Sequence, residues 1–257
     1  MFYWFLKFVA IGPIVRLVFR PQVTGAENVP RTGAAVLASN HLSASDWVFM
    51  PLMLRRRVTF LAKAEYFTSP GVKGFLQRVF FSGAGQVPID RSSADAAEAA
   101  LATGVRILQQ GKLLGIYPEG TRSPDGRLFR GKTGVSRMTL ETGCPVVPVA
   151  MVPVSSFRVL GKKIERVRVV VGEPLDFSRY EGMANDRYIL RSVTDEIMYA
   201  IMTLSGQEYV DQYAAVAKAA AKKAAETEGG RVGRSARPTD AGDSVDSGPA
   251  SREKKAS

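Results

Sequence analysis

Short apolar runs alternate with longer segments of helical periodicity through the middle of the chain. Apolar runs of strand length lie at Ala34–Ser39, Val58–Ala62, Leu113–Tyr117, Val146–Val152 and Ile164–Val171. Apolar positions three and four residues apart predict helices over Ser92–Gln110, Lys132–Thr142 and Tyr188–Leu204. Strands separated by helices predict an α/β fold with a mixed, largely parallel sheet flanked by helices. Pro148 and Pro153 predict that the fourth strand is irregular or lies at an edge.

Residues 1–20 are the most apolar part of the chain. Four aromatic residues open the segment at Phe2–Phe5, and its cations are Lys7, Arg16 and Arg20. No stretch of about 18 residues is free of charge, so no standard membrane span is expected. We interpret the segment as a helical element at a membrane interface, with its cations near lipid phosphates. A helix packed on the protein's own core is the alternative.

The C-terminal part of the chain has a different composition. The Ala-rich segment Gln207–Glu228 predicts a helix from propensity alone. Residues 229–257 contain almost no large apolar side chain, so they cannot offset the entropy of ordering and are expected to be disordered. The predicted organisation is an interfacial segment over 1–20, a folded domain over 21–228 and a tail over 229–257.

Charge and residue counts narrow the possible partners. The 257-residue chain has 35 lysines and arginines against 24 acids, a net charge of +11 that favours anionic partners. The single cysteine, Cys144, and the single histidine, His41, argue against a disulfide and against a metal site built from several histidines. We expect no cofactor. No recognisable nucleic-acid module accompanies the basic clusters, so nucleic acid is not an expected partner.

The first candidate site follows the predicted strand Ala34–Ser39. Asn40 and His41 come directly after it, and Asp46 lies five residues beyond the histidine. If the chain turns after His41, the Asp46 carboxylate can accept a hydrogen bond from Nδ1–H and leave Nε2 free to act as a base. This is the His–Asp half of a catalytic triad, with the attacking hydroxyl left to the substrate. The alternative is a structural histidine, with Asp46 capping a helix.

Two further loops carry candidate phosphate ligands. Gly85–Arg91 is interpreted as an apolar turn, and Arg91 beside a helix start could bind phosphate, or else pair with Asp90 at the surface. The loop Tyr117–Ser123 follows another strand, and its Gly120, Thr121 and Arg122 could hold a phosphate. In that loop Glu119 could orient Arg122 or bind a substrate hydroxyl, although an ordinary polar turn has the same residue types.

A fourth segment matches the sequence pattern of a nucleotide-binding motif. Gly126–Thr133 fits the P-loop pattern G-x-x-x-x-G-K-[ST]. A functional P-loop directly follows a strand, whereas a turn at Ser123–Asp125 precedes this one. A P-loop nucleotide-binding protein is therefore only a minor alternative.

Taken together and in this order, the loops resemble the phospholipid/glycerol acyltransferase family. Asn40-His41-x4-Asp46 is similar to that family's first block, Gly85–Arg91 to the second, Pro118–Ser123 to the third and Val147–Val149 to the fourth. The segment Lys63–Glu65 resembles a lysine-containing stretch between the first two blocks. The resemblance covers about residues 20–180. It departs at Tyr117, where the family usually has phenylalanine, and in an N-terminal segment shorter than in many relatives.

The resemblance implies a fold like that of glycerol-3-phosphate acyltransferases. It also implies acyl transfer from acyl-CoA or acyl-carrier protein to the sn-2 hydroxyl of 1-acylglycerol 3-phosphate. The same chemistry on glycerol 3-phosphate, another lysolipid or a glycolipid is the alternative. It further implies a peripheral or monotopic enzyme on the cytoplasmic face of a membrane containing anionic lipid.

The resemblance also assigns roles to residues. His41 would be the general base and Asp46 would orient it. The substrate-binding residues would be Lys63, Arg91, Glu119, Gly120, Thr121 and Arg122. Of these, Arg91 and Arg122 would bind the acceptor phosphate with the Gly120-Thr121 backbone, and Lys63 would face the developing oxyanion or the phosphate.

Overall fold

One mixed sheet dominates the computed structural model, which describes residues 2–43, 45–89, 96–159 and 162–235. Within these ranges seven strands form the sheet in the order β1-β8-β7-β2-β5-β3-β4. The strands are β1 (Gln22–Thr24), β2 (Ala35–Ser39), β3 (Val58–Lys63), β4 (Gln86–Ile89), β5 (Leu113–Ile116), β7 (Val146–Val159) and β8 (Lys162–Val171). All neighbouring pairs are parallel except β7 with β8. The small strands β6 (Leu128–Phe129) and β9 (Tyr209–Val210) form a separate parallel pair.

The helices cover both faces of the sheet. They are α1 (Phe2–Phe5), α2 (Ile11–Phe19), α3 (Asp46–Met53), α4 (Glu65–Thr68), α5 (Gly71–Gly83), α6 (Ala96–Gln109), α7 (Gly134–Thr142), α8 (Arg187–Ser205) and α9 (Ala214–Ser235). Leu6–Ala10 joins α1 to α2 as a π-helix, and Ala26–Asn28 and Ser178–Tyr180 are short 3₁₀ turns.

Strand β2 lies at the centre of both cores because successive side chains of a strand point to opposite faces. Val36 and Ala38 pack with residues of α6, α7 and α8, while Ala35 and Leu37 pack on the other face with residues of α3. All four side chains are fully buried. The sequence of a strand that is buried on both faces is a nearly continuous apolar run, and Ala35–Ser39 has this pattern. The predicted α/β class is therefore confirmed.

Two expectations about strands are corrected. The segment interpreted as an apolar turn, Gly85–Arg91, contains strand β4, because Gln86–Ile89 pair in parallel with Phe60–Lys63. Strand β7 is internal to the sheet, between β2 and β8. Its predicted irregularity is present as a register shift at Pro153. Pro148 is tolerated inside the sheet because it precedes the first β7–β8 pair, Val149 with Val171.

Two cations of the N-terminal helix, residues 2–19, contact the C-terminal end of α3. Lys7 is only 4% exposed, and its Nζ donates to the carbonyls of Pro51, at 2.7 Å, and Leu54. Arg16 donates to the carbonyl of Leu52 at 3.2 Å. Both side chains thus satisfy carbonyls at the C-terminal end of α3, which a helix leaves without internal partners. The expectation that these cations lie near lipid phosphates is wrong for Lys7, which is buried, and stays a prediction for Arg16, which is exposed.

The chain divides into two units, Met1–Lys218 and Ala219–Ser257. Helix α9 continues to Ser235, so the first seven residues assigned to a disordered tail, 229–235, are helical. The rest of the predicted tail lies outside the described residues.

A methyl group added at Gly115 should destabilise the fold. A Cβ there would lie 2.3 Å from Cε1 of Phe60 on the neighbouring strand β3. We expect Gly115→Ala to lower the free energy of unfolding by about 1–3 kcal/mol, the usual cost of overpacking a core. Denaturant unfolding measures it. Gly134→Ala is the matched control, since a Cβ at Gly134 meets nothing within 4 Å. Equal stability of the two variants would contradict this account of the packing.

Candidate active site

The predicted site loops meet at one edge of the sheet. Strands β2, β3 and β5 are mutually parallel, so the residues that follow Ser39, Lys63 and Ile116 lie at the same edge. In parallel α/β sheets this carboxyl edge is where ligands bind. Two backbone contacts fasten the loops there: Ser123 N–H donates to the His41 carbonyl at 2.8 Å, and Gly120 N–H donates to the Tyr117 carbonyl at 3.0 Å.

His41 and Asp46 form the contact expected from their spacing. Nδ1 of His41 lies 2.9 Å from Oδ2 of Asp46, whose side chain is 1% exposed, while 18% of the histidine side chain is exposed. The same Oδ2 accepts the backbone N–H groups of Leu42 and Ser43, each at 2.8 Å. An acceptor-only carboxylate selects the tautomer with the proton on Nδ1. Nε2 has no hydrogen-bond partner among the described residues, so it is free to accept a hydrogen bond or a proton.

An aromatic stack supports the imidazole from one side. The ring of Tyr117 stacks on His41 with centroids 4.0 Å apart and planes 14° apart. Phe60 stacks on Tyr117 at 5.8 Å, and Phe60 occupies the space that Gly115 leaves open. The Tyr117 hydroxyl is buried without a partner in the described structure, and burial, followed by the charge of Asp46, raises its pKa well above the usual value.

The Glu119 carboxylate links the His41 loop to the segment that contains Phe129. Its Oε1 accepts the His41 N–H and its Oε2 accepts the Phe129 N–H, both at 3.0 Å, and its side chain is 1% exposed. Burial raises the pKa of Glu119 to about 7, against the two backbone N–H groups that lower it. In this structure both carboxylate oxygens accept backbone N–H groups, and the role predicted for Glu119 toward Arg122 or a substrate hydroxyl stays a prediction.

The turn after Glu119 presents several cations to solvent. Gly120 has a φ of +75°, a left-handed conformation that favours glycine, and a Cβ there would lie 3.0 Å from Cε of Lys132. Lys218 donates to Thr121 Oγ1 at 3.3 Å and to the Arg122 carbonyl at 3.5 Å. Arg122 is itself exposed. Three cations around one turn suit a phosphate group.

Two of these cations were not expected from the sequence. Lys132 belongs to the P-loop-like motif and Lys218 to the Ala-rich segment, and the sequence assigns neither of them a phosphate role. In the structure Leu128 and Phe129, between the two glycines of that motif, form β6 and are fully buried. The motif therefore does not form a glycine-rich phosphate loop after a strand. Lys132 is positioned by its own N–H, which donates to the Pro118 carbonyl at 2.8 Å.

The remaining predicted residues have different outcomes. Lys63 is exposed at the last position of β3, at the carboxyl edge. Arg91 and Asp90 lie outside the described residues. Asn40, at the start of the first block, is fully buried and exchanges hydrogen bonds with Met151, its Nδ2 donating at 3.0 Å and its Oδ1 accepting at 2.7 Å. Asn40 therefore fastens the His41 loop to β7.

Comparisons with known proteins show the family of this chain. A family model described as Acyltransferase matches residues 20–152, just over half of the chain, and the chain belongs to that family. The 1-acyl-sn-glycerol-3-phosphate acyltransferase of Bacillus subtilis is 30% identical over 168 residues, covering 65% of this chain and 79% of that protein. The protein of the same name from Borreliella burgdorferi is 29% identical over 135 residues, 52% of each chain.

A solved structure shares the fold. The crystal structure of the 1-acyl-sn-glycerophosphate (LPA) acyltransferase PlsC from Thermotoga maritima matches with a TM-score of 0.50 and 23% identity, over 79% of this chain and 86% of that one. The matched region spans about half the length of the Borreliella protein, 52%, and of two chloroplast relatives from Arabidopsis thaliana and Brassica napus, 47% and 48%.

From the raised pKa of Glu119 we predict a measurable pH dependence of the free energy of unfolding. Its pKa in the fold is about 7, above the ordinary 4.5, so the folded state holds more protons than the unfolded state between these values. Stability should therefore fall as pH rises from about 5 to 7, by up to about 1.4 kcal/mol per pH unit. In Glu119→Gln this slope should be absent. Urea unfolding across that range measures it, with exposed Glu173→Gln as control; parallel curves for wild type and Glu119→Gln would refute the assignment.

Proposed function

We propose that the protein transfers an acyl group from a thioester, acyl-CoA or acyl-carrier protein, to the sn-2 hydroxyl of 1-acylglycerol 3-phosphate, giving phosphatidic acid. The observation that carries the proposal is the buried Asp46 carboxylate on Nδ1 of His41, beside a turn rich in cations. The names of the relatives support the choice of acceptor. The family model supports the class of reaction.

The proposed mechanism is direct transfer without an acyl-enzyme. Nε2 of His41 takes the proton from the acceptor hydroxyl as its oxygen attacks the thioester carbonyl, and Asp46 stabilises the imidazolium that forms. The tetrahedral intermediate then expels the thiolate with cleavage of the C–S bond, and the imidazolium returns the proton to sulfur. Cys144 is a poor alternative nucleophile because it is 7% exposed and burial raises the pKa of its thiol.

The acceptor phosphate would bind at the turn Gly120–Arg122. Arg122 supplies a guanidinium suited to bidentate phosphate contacts, and Lys132 and Lys218 add charge around the same turn. Lys63, at the same edge of the sheet, is proposed to face the oxyanion or the phosphate, and Arg91 to contribute by the family resemblance alone. Glu119 enters the mechanism as the group that holds the His41 loop in register with this turn.

Attachment to a membrane is proposed through an apolar face on the N-terminal helix and α5. Phe2–Phe19 is the one helical stretch among the described residues that is long and apolar enough to cross a membrane by length and composition, and 22% of it is buried. Phe5, Ile14 and Leu17 on this helix are 50%, 63% and 75% exposed. Because Lys7 and Arg16 are held by α3, we propose that the helix lies on the bilayer rather than across it.

Helix α5 extends this face. Its most exposed apolar residues, Val72, Phe75, Leu76 and Val79, recur at the spacing of one helical stripe. The C-terminal end of α5 contacts the N-terminal helix, since Gly83 packs against the Phe2 ring. We propose a peripheral or monotopic position on the cytoplasmic face, where soluble thioester donors are found.

Release of free thiol from oleoyl-CoA, with and without lysophosphatidic acid, tests the proposed reaction. We expect release that depends on the acceptor, and His41→Ala should lower turnover by about 10²-fold or more, the scale of general-base catalysis. Asp46→Asn should also lower kcat, because the amide can hold the wrong tautomer. Asp176→Asn, an exposed carboxylate, is the control.

Full activity of His41→Ala, with circular dichroism like that of the wild type, would contradict the mechanism. Release that requires glycerol 3-phosphate or another lysolipid in place of lysophosphatidic acid would keep the mechanism and change the acceptor.

Sedimentation with phospholipid vesicles tests the membrane face. Ile14→Ser with Leu17→Ser should weaken partition by about ten-fold per side chain, because each apolar group then loses its transfer out of water. Tyr188→Ser with Tyr199→Ser is the matched control, since these tyrosines of α8 are 87% and 66% exposed. Equal partition of both pairs would place the membrane contact elsewhere.

A further inference from the structure

A second cationic site lies at the opposite edge of the sheet from His41. The residues that precede β3, β4 and β5, with the end of α6, line an open cavity of about 620 Å³. Five of the lining residues are cationic and none is acidic: Arg55, Arg56, Arg57, Arg106 and Lys112. The six residues of β3 place this cavity about 20 Å from the carboxyl edge. It is therefore separate from the proposed acceptor site.

Arg56 links the loops that form the wall of this cavity. Its guanidinium donates to the carbonyls of Pro30 and Gly33, each at 2.8 Å, and of Gly111 at 3.0 Å. These contacts join the loops that precede β2, β3 and β5. The wall is thus built by the fold, and Arg56 is occupied in holding it.

The other four cations are exposed and are not neutralised by carboxylates in the described part of the chain. Arg57 rests over the ring of Tyr3, at 5.3 Å from its centroid. Arg106 donates to the Thr103 hydroxyl at 3.3 Å, and Lys112 to the side-chain oxygen of Gln110 at 2.5 Å. Uncompensated like charges around one cavity repel each other, and a bound anion relieves that repulsion.

Gln86 is the second, independent sign of a ligand. Its side chain is 8% exposed and lines the cavity, and its Nε2 has no acceptor among the described residues. A buried donor without a partner is uncommon in a native fold. An oxygen of a bound anion would supply the missing acceptor.

The mouth of the cavity adjoins the apolar N-terminal helix. Trp4 lines the cavity and is 40% exposed, with Phe5 following it at 50%. We infer that this cavity binds a phosphate-bearing anion, and that the headgroup of an anionic phospholipid in the supporting membrane is its first source. Free inorganic phosphate is the other source of the same chemistry. The site would orient the protein on acidic membranes, and it does not depend on the reaction proposed above.

Matched variants of the full chain test this site. Arg55→Gln with Arg106→Gln removes two exposed cations that hold no backbone group, and Gln86→Leu removes the buried donor without a change in charge. Arg179→Gln with Arg187→Gln is the control, two exposed arginines outside the cavity. Each is sedimented with phosphatidylcholine vesicles, with and without phosphatidylglycerol. Thermal unfolding in detergent is compared in inorganic phosphate and in chloride at equal ionic strength.

We expect binding to vesicles with phosphatidylglycerol to fall about five-fold or more in the cavity pair beyond the control pair, from the loss of cations near an anionic surface. Gln86→Leu should also bind more weakly. Thermal protection by phosphate that is lost in the same variants would identify free phosphate as an occupant as well. Equal losses in the cavity and control pairs, with Gln86→Leu like the wild type, would overturn the proposal.

Discussion

The candidate site depends on one buried carboxylate. Oδ2 of Asp46 accepts His41 Nδ1–H and the N–H groups of Leu42 and Ser43, so a single oxygen shapes the loop and fixes the imidazole. A buried acceptor with three donors leaves the histidine little freedom to rotate or to change tautomer. Loss of that carboxylate would leave several buried N–H groups without a partner, which is why structure and chemistry cannot be separated at this position.

A second carboxylate, that of Glu119, and an aromatic stack hold the neighbouring loop, Tyr117–Ser123, in place. Glu119 holds the N–H groups of His41 and Phe129, while Tyr117 covers one face of the imidazole. Phe60 supports Tyr117 and needs the space left by Gly115. The glycine inside a central strand, which weakens a strand by itself, is thus explained by the ring that it admits.

The sequence predicts the parts of this molecule that depend on local pattern. Strands β2, β3 and β5 and helix α8 begin and end within about two residues of their predicted bounds, since each is an apolar or periodic run. Strand β4 gives no such signal, because it has only four residues and one of them is Pro88. The sequence also does not show the roles of residues whose partners lie far away along the chain. No local signal shows that Glu119 faces two backbone groups, or that Lys7 is buried against α3.

Nitrogen-15 NMR of protein labelled at histidine tests the central claim most directly, because His41 is the single histidine of the chain. The account predicts, at mildly alkaline pH, one imidazole with the proton on Nδ1 and Nε2 unprotonated, and a loss of that preference in Asp46→Asn. An imidazole protonated at Nε2, or a tautomer indifferent to Asp46, would contradict it, because Nε2 could not then accept the proton of an attacking hydroxyl.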